Sequence, residues 1–113
     1  MKSMIKHPTA SGYILDLKMG NLSSIFSIFD KIRLSDISEL ILSYNNLHEL
    51  EDLFFQMRNL FVLNVSVNQI KEIANLDNCQ KLESLNLSTN RITKFKGLEG
   101  LKALIRLVKP FSL

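Results

Sequence analysis

Acid–base, nucleophilic and metal chemistry draw on few side-chain types, and in this 113-residue chain the two histidines and one cysteine are scattered. His7 precedes Pro8 and His48 follows Asn45 by three residues. No Cys, Asp or Glu falls at metal-ligand spacing around either, so both read as solvated histidines. Cys79 occupies a position otherwise reserved for apolar residues and reads as a buried small hydrophobe. The four glycines, Gly12, Gly20, Gly97 and Gly100, form no phosphate-binding loop, and there is no serine elbow. No catalytic residue, cofactor or metal site is expected. The polar side chains that do recur at a fixed interval are amides: Asn45, Asn68 and Asn90. A short amide both donates and accepts, and so satisfies backbone groups that a tight turn leaves unpaired. The expected role of this asparagine ladder is structural.

The elements that position those amides are repeats. Ile37-x-x-Leu40-x-Leu42-x-x-Asn45-x-Leu47 returns at residues 60–70, from Leu60 to Ile70, and at 82–92, from Leu82 to Ile92. The starts Ile37, Leu60, Leu82 and Leu104 lie 23, 22 and 22 residues apart, a period that marks a solenoid. Consecutive strands must stack about 4.8 Å apart, so each repeat loops back on itself. Leu85 and Leu87 alternate with Asn86, which sends the leucines inward and Ser84, Asn86 and Ser88 outward from a short strand. After each asparagine the apolar spacing becomes three, as in Ile70, Ile73, Leu76, Cys79 and Leu82, which suits 3₁₀-like or extended turns. A degenerate first copy runs Gly12-x-x-Leu15-x-Leu17-x-x-Gly20-x-Leu22. Its return segment, Ile25, Ile28, Phe29 and Ile32, has helical spacing, and Leu50, Leu53, Phe54 and Met57 repeat it; the convex side is expected to be helical in the first two repeats and tighter in the next two.

These motifs resemble the leucine-rich-repeat family, and the 22-residue period with its I-x-x-I-x-x-L-x-x-C/L continuation is similar to the short intracellular class found in a phosphatase regulatory subunit, a spliceosomal protein and an axonemal dynein light chain. The resemblance spans residues 12 to about 109. It implies a right-handed α/β solenoid with a parallel sheet on the concave face and short 3₁₀ or α segments on the convex face. The expected division is a leader or partial N-terminal cap at 1–11, then repeats at 12–36, 37–59, 60–81, 82–103 and an incomplete fifth at 104–113. Extracellular members usually carry disulfide-bonded caps, whereas this chain has one cysteine; it is expected inside the cell, in the cytoplasm, with nucleus and cilium as alternatives.

Outward strand positions form columns: Ile14, Glu39, Val62, Ser84 and Arg106; then Asp16, Ile41, Asn64, Asn86 and Val108; then Lys18, Ser43, Ser66 and Ser88; and beyond them Met19, Tyr44, Val67 and Thr89. Ile41, Val62, Tyr44 and Val67 are expected to make one apolar patch, the signature of an interaction site. Asn64 and Asn86 beside it offer donors and acceptors, Glu39 and Asp16 favour a basic residue at the edge, and Tyr44 is the hot-spot candidate. The serines follow the family habit of a small residue and carry little weight.

Residues 91–113 hold six basic residues against Glu99, a net of +5, and the other ninety net −2. That basic end offers an alternative reading, a nucleic-acid-associated protein. Leu104-x-x-Leu107 starts a fifth repeat that breaks off after Lys109-Pro110. A fragment or short isoform of a longer scaffold, a cap supplied by another chain or by dimerisation, and Pro110-Phe111 folding back as a plug all suit such an end. The resemblance implies a protein partner, bound on the concave face by an intracellular scaffold or regulatory module.

Overall fold

The computed structural model describes residues 5–9, 12–26 and 32–111. Six strands form one sheet in chain order: β1 (Ile5–Thr9), β2 (Gly12–Asp16), β3 (Ile37–Ile41), β4 (Val62–Asn64), β5 (Ser84–Asn86) and β6 (Arg106–Val108). β1 pairs antiparallel with β2, covering that edge, and every later pair is parallel. Pro8 sits on this edge strand, where its missing N–H disrupts least. Gly12 opens β2 at φ 125°, and a Cβ there would run into the Asp36 carbonyl, so the leading leucine of the other repeats has no room here.

The register runs straight across the sheet. Leu15, Leu40, Leu63, Leu85 and Leu107 stand opposite one another on β2 to β6, and the first four are buried. Behind them pack Leu17, Leu42, Val65 and Leu87, then Phe54, Met57, Ile73, Leu76 and Cys79 from the return segments, in one continuous core. Period-two leucines build the sheet side of that core and period-three residues its back wall.

The helical spacing of Leu50, Leu53, Phe54 and Met57 did bury all four, but through a 3₁₀ turn, Asp52–Gln56, not an α-turn. Fourteen residues must carry the chain from Asn45 back to Leu60, and a 3₁₀ turn rises about 2.0 Å per residue against about 1.5 Å for an α-helix. In addition, Glu51, at the start of this turn, is drawn to the preceding repeat: its carboxylate accepts from Ser24 Oγ and the Ile25 N–H, both at 2.8 Å. Of the corresponding pattern in the first repeat, Ile25 is buried and Ile32 half-buried, while Ile28 and Phe29 lie outside the described residues.

The asparagine ladder fastens each turn to its neighbours. Asn68 Oδ1 accepts from the Leu47 N–H at 2.9 Å, while its Nδ2 donates to the Leu42, Val65 and Ser66 carbonyls at 3.0–3.2 Å. Asn90 does the same with Ile70 on one side and Val65, Leu87 and Ser88 on the other. Asn45 accepts from Gly20 and Leu22 and donates to Leu17, Leu42 and Ser43. Every amide therefore spans two repeats.

At the C-terminal end β6 completes the sheet, Pro110 is buried and Phe111 is wholly exposed. The expectation that Pro110-Phe111 folds back as a plug is thus met by the proline alone; a ring on the outside covers nothing. Lys109, in the slot of an apolar residue, places Nζ 5.0 Å from the Phe95 ring centroid, a cation–π contact that lets its stem stay near the core while its charge stays wet.

Cys79 is fully buried, with its thiol 3.5 Å from the Phe54 carbonyl. Burial, and then the Asp77 charge, push its pKa from 9.0 up to about 11. The folded chain thus holds the thiol proton more tightly than the unfolded one. Stability is unaffected below pH 9 and falls as pH rises from 9 towards 11, where only the unfolded chain ionises. Native protein at pH 8 is expected to resist thiol alkylation until urea unfolds it, with labelling followed by mass spectrometry.

Candidate functional site

The outward face of the sheet carries the side chains that the core does not use, in the same straight register. Ile14, Glu39, Val62, Ser84 and Arg106 stand opposite one another in one row, and Asp16, Ile41, Asn64, Asn86 and Val108 in the next. Ile41, Val62 and Val67 are half-buried and Tyr44 is 58% exposed. Ile41 and Val62 are diagonal neighbours on β3 and β4, and Tyr44 and Val67 follow the same two strands.

Hydrogen bonding along the second row is regular. Asn64 Oδ1 accepts from Ser66 N–H at 3.0 Å and Ser66 Oγ at 2.7 Å, and Asn86 Oδ1 accepts from Ser88 N–H and Oγ at 3.0 and 2.8 Å. On β2, Asp16 Oδ1 accepts from the Lys18 N–H and Oδ2 pairs with Lys18 Nζ at 2.6 Å. Partial burial works against ionisation at Asp16, but the Lys18 side chain, N–H and charge together hold its carboxyl below the ordinary value. Asp16 is thus already neutralised, and Asn64 and Asn86 have their acceptors engaged. The sequence led us to expect donors and acceptors from these amides; on the folded face only their N–H groups are free.

Four residues beyond the strands share an unusual backbone. Met19, Tyr44, Val67 and Thr89 have φ of 57°, 59°, 55° and 53°, each one step before the ladder position. The left-handed conformation is strained for β-branched residues and costs on the order of 1–3 kcal/mol without glycine. Val67→Asn, which places a side chain that tolerates this backbone, is expected to raise unfolding stability by about 1 kcal/mol in urea titration. A drop of that size would mean that packing of the valine outweighs its strain.

The family described as Leucine Rich repeats (2 copies) matches residues 58–103, which contain the repeats of β4 and β5. Those residues are leucine-rich repeats, and the sheet they belong to has the fold of a leucine-rich-repeat solenoid. No curated protein sequence matches it significantly. Among solved structures it is similar to an internalin of Listeria monocytogenes, with 29% identity over 77% of this chain and a TM-score of 0.67. The chain spans only 24% of that protein's length. This leucine-rich-repeat solenoid therefore shares its sheet and repeat geometry with one segment of a much longer molecule.

Within the leucine-rich-repeat face, sequence reasoning placed Ser43 in its column but gave it no more weight than Ser66 and Ser88. Ser66 and Ser88 are tied to Asn64 and Asn86; Ser43, two residues after Ile41, has no such partner. The signal was present in the spacing, since Asn64-x-Ser66 and Asn86-x-Ser88 pair a short amide with a hydroxyl and Ile41-x-Ser43 does not. Among the described residues no group of three His, Cys, Asp or Glu could hold a metal, and no helix is long and apolar enough to cross a membrane.

Proposed function

We propose that the chain is a protein-interaction module that binds a protein partner on the outer, concave face of its sheet, through Tyr44, Ile41, Val62 and Val67 with Asn64, Asn86 and Glu39 around them. The observation that carries this reading is the placement of apolar side chains, including strained Tyr44 and Val67, on a face where polar residues would be more comfortable. Leucine-rich-repeat modules in general bind other proteins, and the rigid sheet presents these residues without a large ordering cost. An intracellular scaffold or regulatory role, of the phosphatase-regulatory-subunit-like kind, belongs to the same proposal and draws support from the single, buried Cys79.

A photo-reactive phenylalanine analogue at position 44, with the same analogue at exposed Gln80 as control, tests the reading. Discrete protein adducts in cells from position 44 and none from position 80 are expected. Equal adducts from both, or none from position 44, would defeat it.

A further inference from the structure

The hydrogen-bond inventory of the outer face specifies what the partner must bring. We infer that its centre selects a segment carrying a carboxylate beside an apolar residue. This rests on the reading that the face binds protein.

Asn64 and Asn86 are held by their Oδ1 atoms, which fixes which end of each amide points away, and neither Nδ2 donates to any described residue. Their strands are adjacent, so the two NH2 groups stand about 4.8 Å apart. Ser43 adds to this. Its residue is 6% exposed, yet neither its N–H nor its hydroxyl finds an acceptor among the described residues. No fully enclosed side-chain oxygen or nitrogen there lacks a partner, so the Ser43 hydroxyl opens towards solvent. Asn64 Oδ1 and Asn86 Oδ1 show on the two following strands how an oxygen engages both donors of such a serine, at 2.7–3.0 Å. On β3 that oxygen is absent from the chain, because Ile41 stands where an amide would.

Charge points the same way. Arg106 is exposed at the β6 end of the first row and makes no ion pair among the described residues. Asp16, the carboxylate nearest the second row's start, is neutralised by Lys18. Only Glu39 on β3 remains as a free anion in these rows, three strand spacings, about 14 Å, from Arg106. The face is therefore apolar over Ile41, Val62 and Tyr44, and donor-rich from Asn64 through Asn86 to Arg106. A partner whose apolar residue sits on the first area and whose carboxylate reaches the second satisfies both; an ammonium in that second area would meet the amide NH2 groups and the like charge of Arg106, with only neutral serine hydroxyls to accept from it.

Random twelve-residue peptides displayed on phage and selected on the folded chain supply the probe. Recovered sequences are expected to be enriched at least threefold in Asp and Glu over Lys and Arg relative to the unselected library. Their binding should weaken tenfold or more in the Asn64→Asp, Asn86→Asp double variant. That change keeps the oxygen that accepts from residue i+2, as Asp16 does, and replaces only the free donors; an unchanged unfolding midpoint checks the fold. Gln56→Glu with Gln80→Glu, away from the sheet, adds equal charge and should alter binding less than twofold. Neutral or basic peptides, or acidic ones indifferent to the double aspartate variant, overturn the carboxylate inference while leaving the face intact if Tyr44→Ala abolishes their binding. Peptides that ignore Tyr44→Ala, or an empty selection, overturn the binding face itself and this inference with it.

Discussion

Leu85→Ala is expected to lower unfolding stability by about 2–5 kcal/mol, the range for removing a large aliphatic side chain from a core that cannot close around the gap. Leu85 is fully buried in the middle of its row, between Leu63 on β4 and Leu107 on β6. Two properties push it to the upper half of that range. The β-ladder fixes the spacing on both sides, so neighbouring leucines cannot move in, and a solenoid has no second core to share the loss. Against a total stability of about 5–15 kcal/mol, such a loss should move the urea midpoint down by about 1–3 M. An unchanged midpoint would mean that Leu85 does not face the core and that the whole register is displaced by one residue, since a single step exchanges the two faces of every strand.

The second large effect comes from the ladder. Asn68→Ala removes the acceptor of the Leu47 N–H and the donor to three carbonyls, and should cost about 1–3 kcal/mol. Asn68→Asp should cost more, about 3–5 kcal/mol at neutral pH, even though it is closer in shape. One carboxylate oxygen can still accept from Leu47, but the other would face the carbonyls of Leu42, Val65 and Ser66 with no proton to offer, in a buried position. Protonation supplies that donor, so the aspartate variant should regain stability as pH falls towards 4, whereas the alanine variant should gain nothing. Urea titrations of the three proteins at pH 7 and pH 4 separate these outcomes. If aspartate and alanine behave alike at both pH values, the amide is not donating in the way described.

The strands and the ladder were legible in the amino-acid pattern because both are periodic and each is decided locally. Leu85 and Leu87 alternate with Asn86, and nothing but an extended chain satisfies that alternation and stacks on the next copy. The return segments were less legible: Leu50, Leu53, Phe54 and Met57 fit an α-turn and a 3₁₀ turn equally well by spacing, and the choice fell to the span that the chain had to cross and to Glu51 bonding the previous repeat. Of the candidate site, the columns could be written down, but not what their polar atoms would be doing. Asn64 and Asn86 lost their acceptors to serines two residues on, and the Asp16 carboxylate is paired with Lys18, through side-chain geometry that a column of letters does not carry. The left-handed backbone at Val67 and Thr89 was invisible for another reason: β-branched residues argue against it, and the surrounding turn imposes it regardless.

The direction in which the asparagines reach has a consequence for how the protein is made. The N–H of Leu47 is accepted by Asn68 and that of Ile70 by Asn90, so these two turns are completed by amides that lie 21 and 20 residues later in the chain. On a ribosome the first of each pair emerges before its partner exists. At about 5–20 residues per second, a newly emerged turn waits about one to four seconds for its fastening. Synthesis and folding are thereby locked one repeat out of step: the part of the chain leaving the tunnel is always completing the turn made before it, and the last turn made is always the loosest.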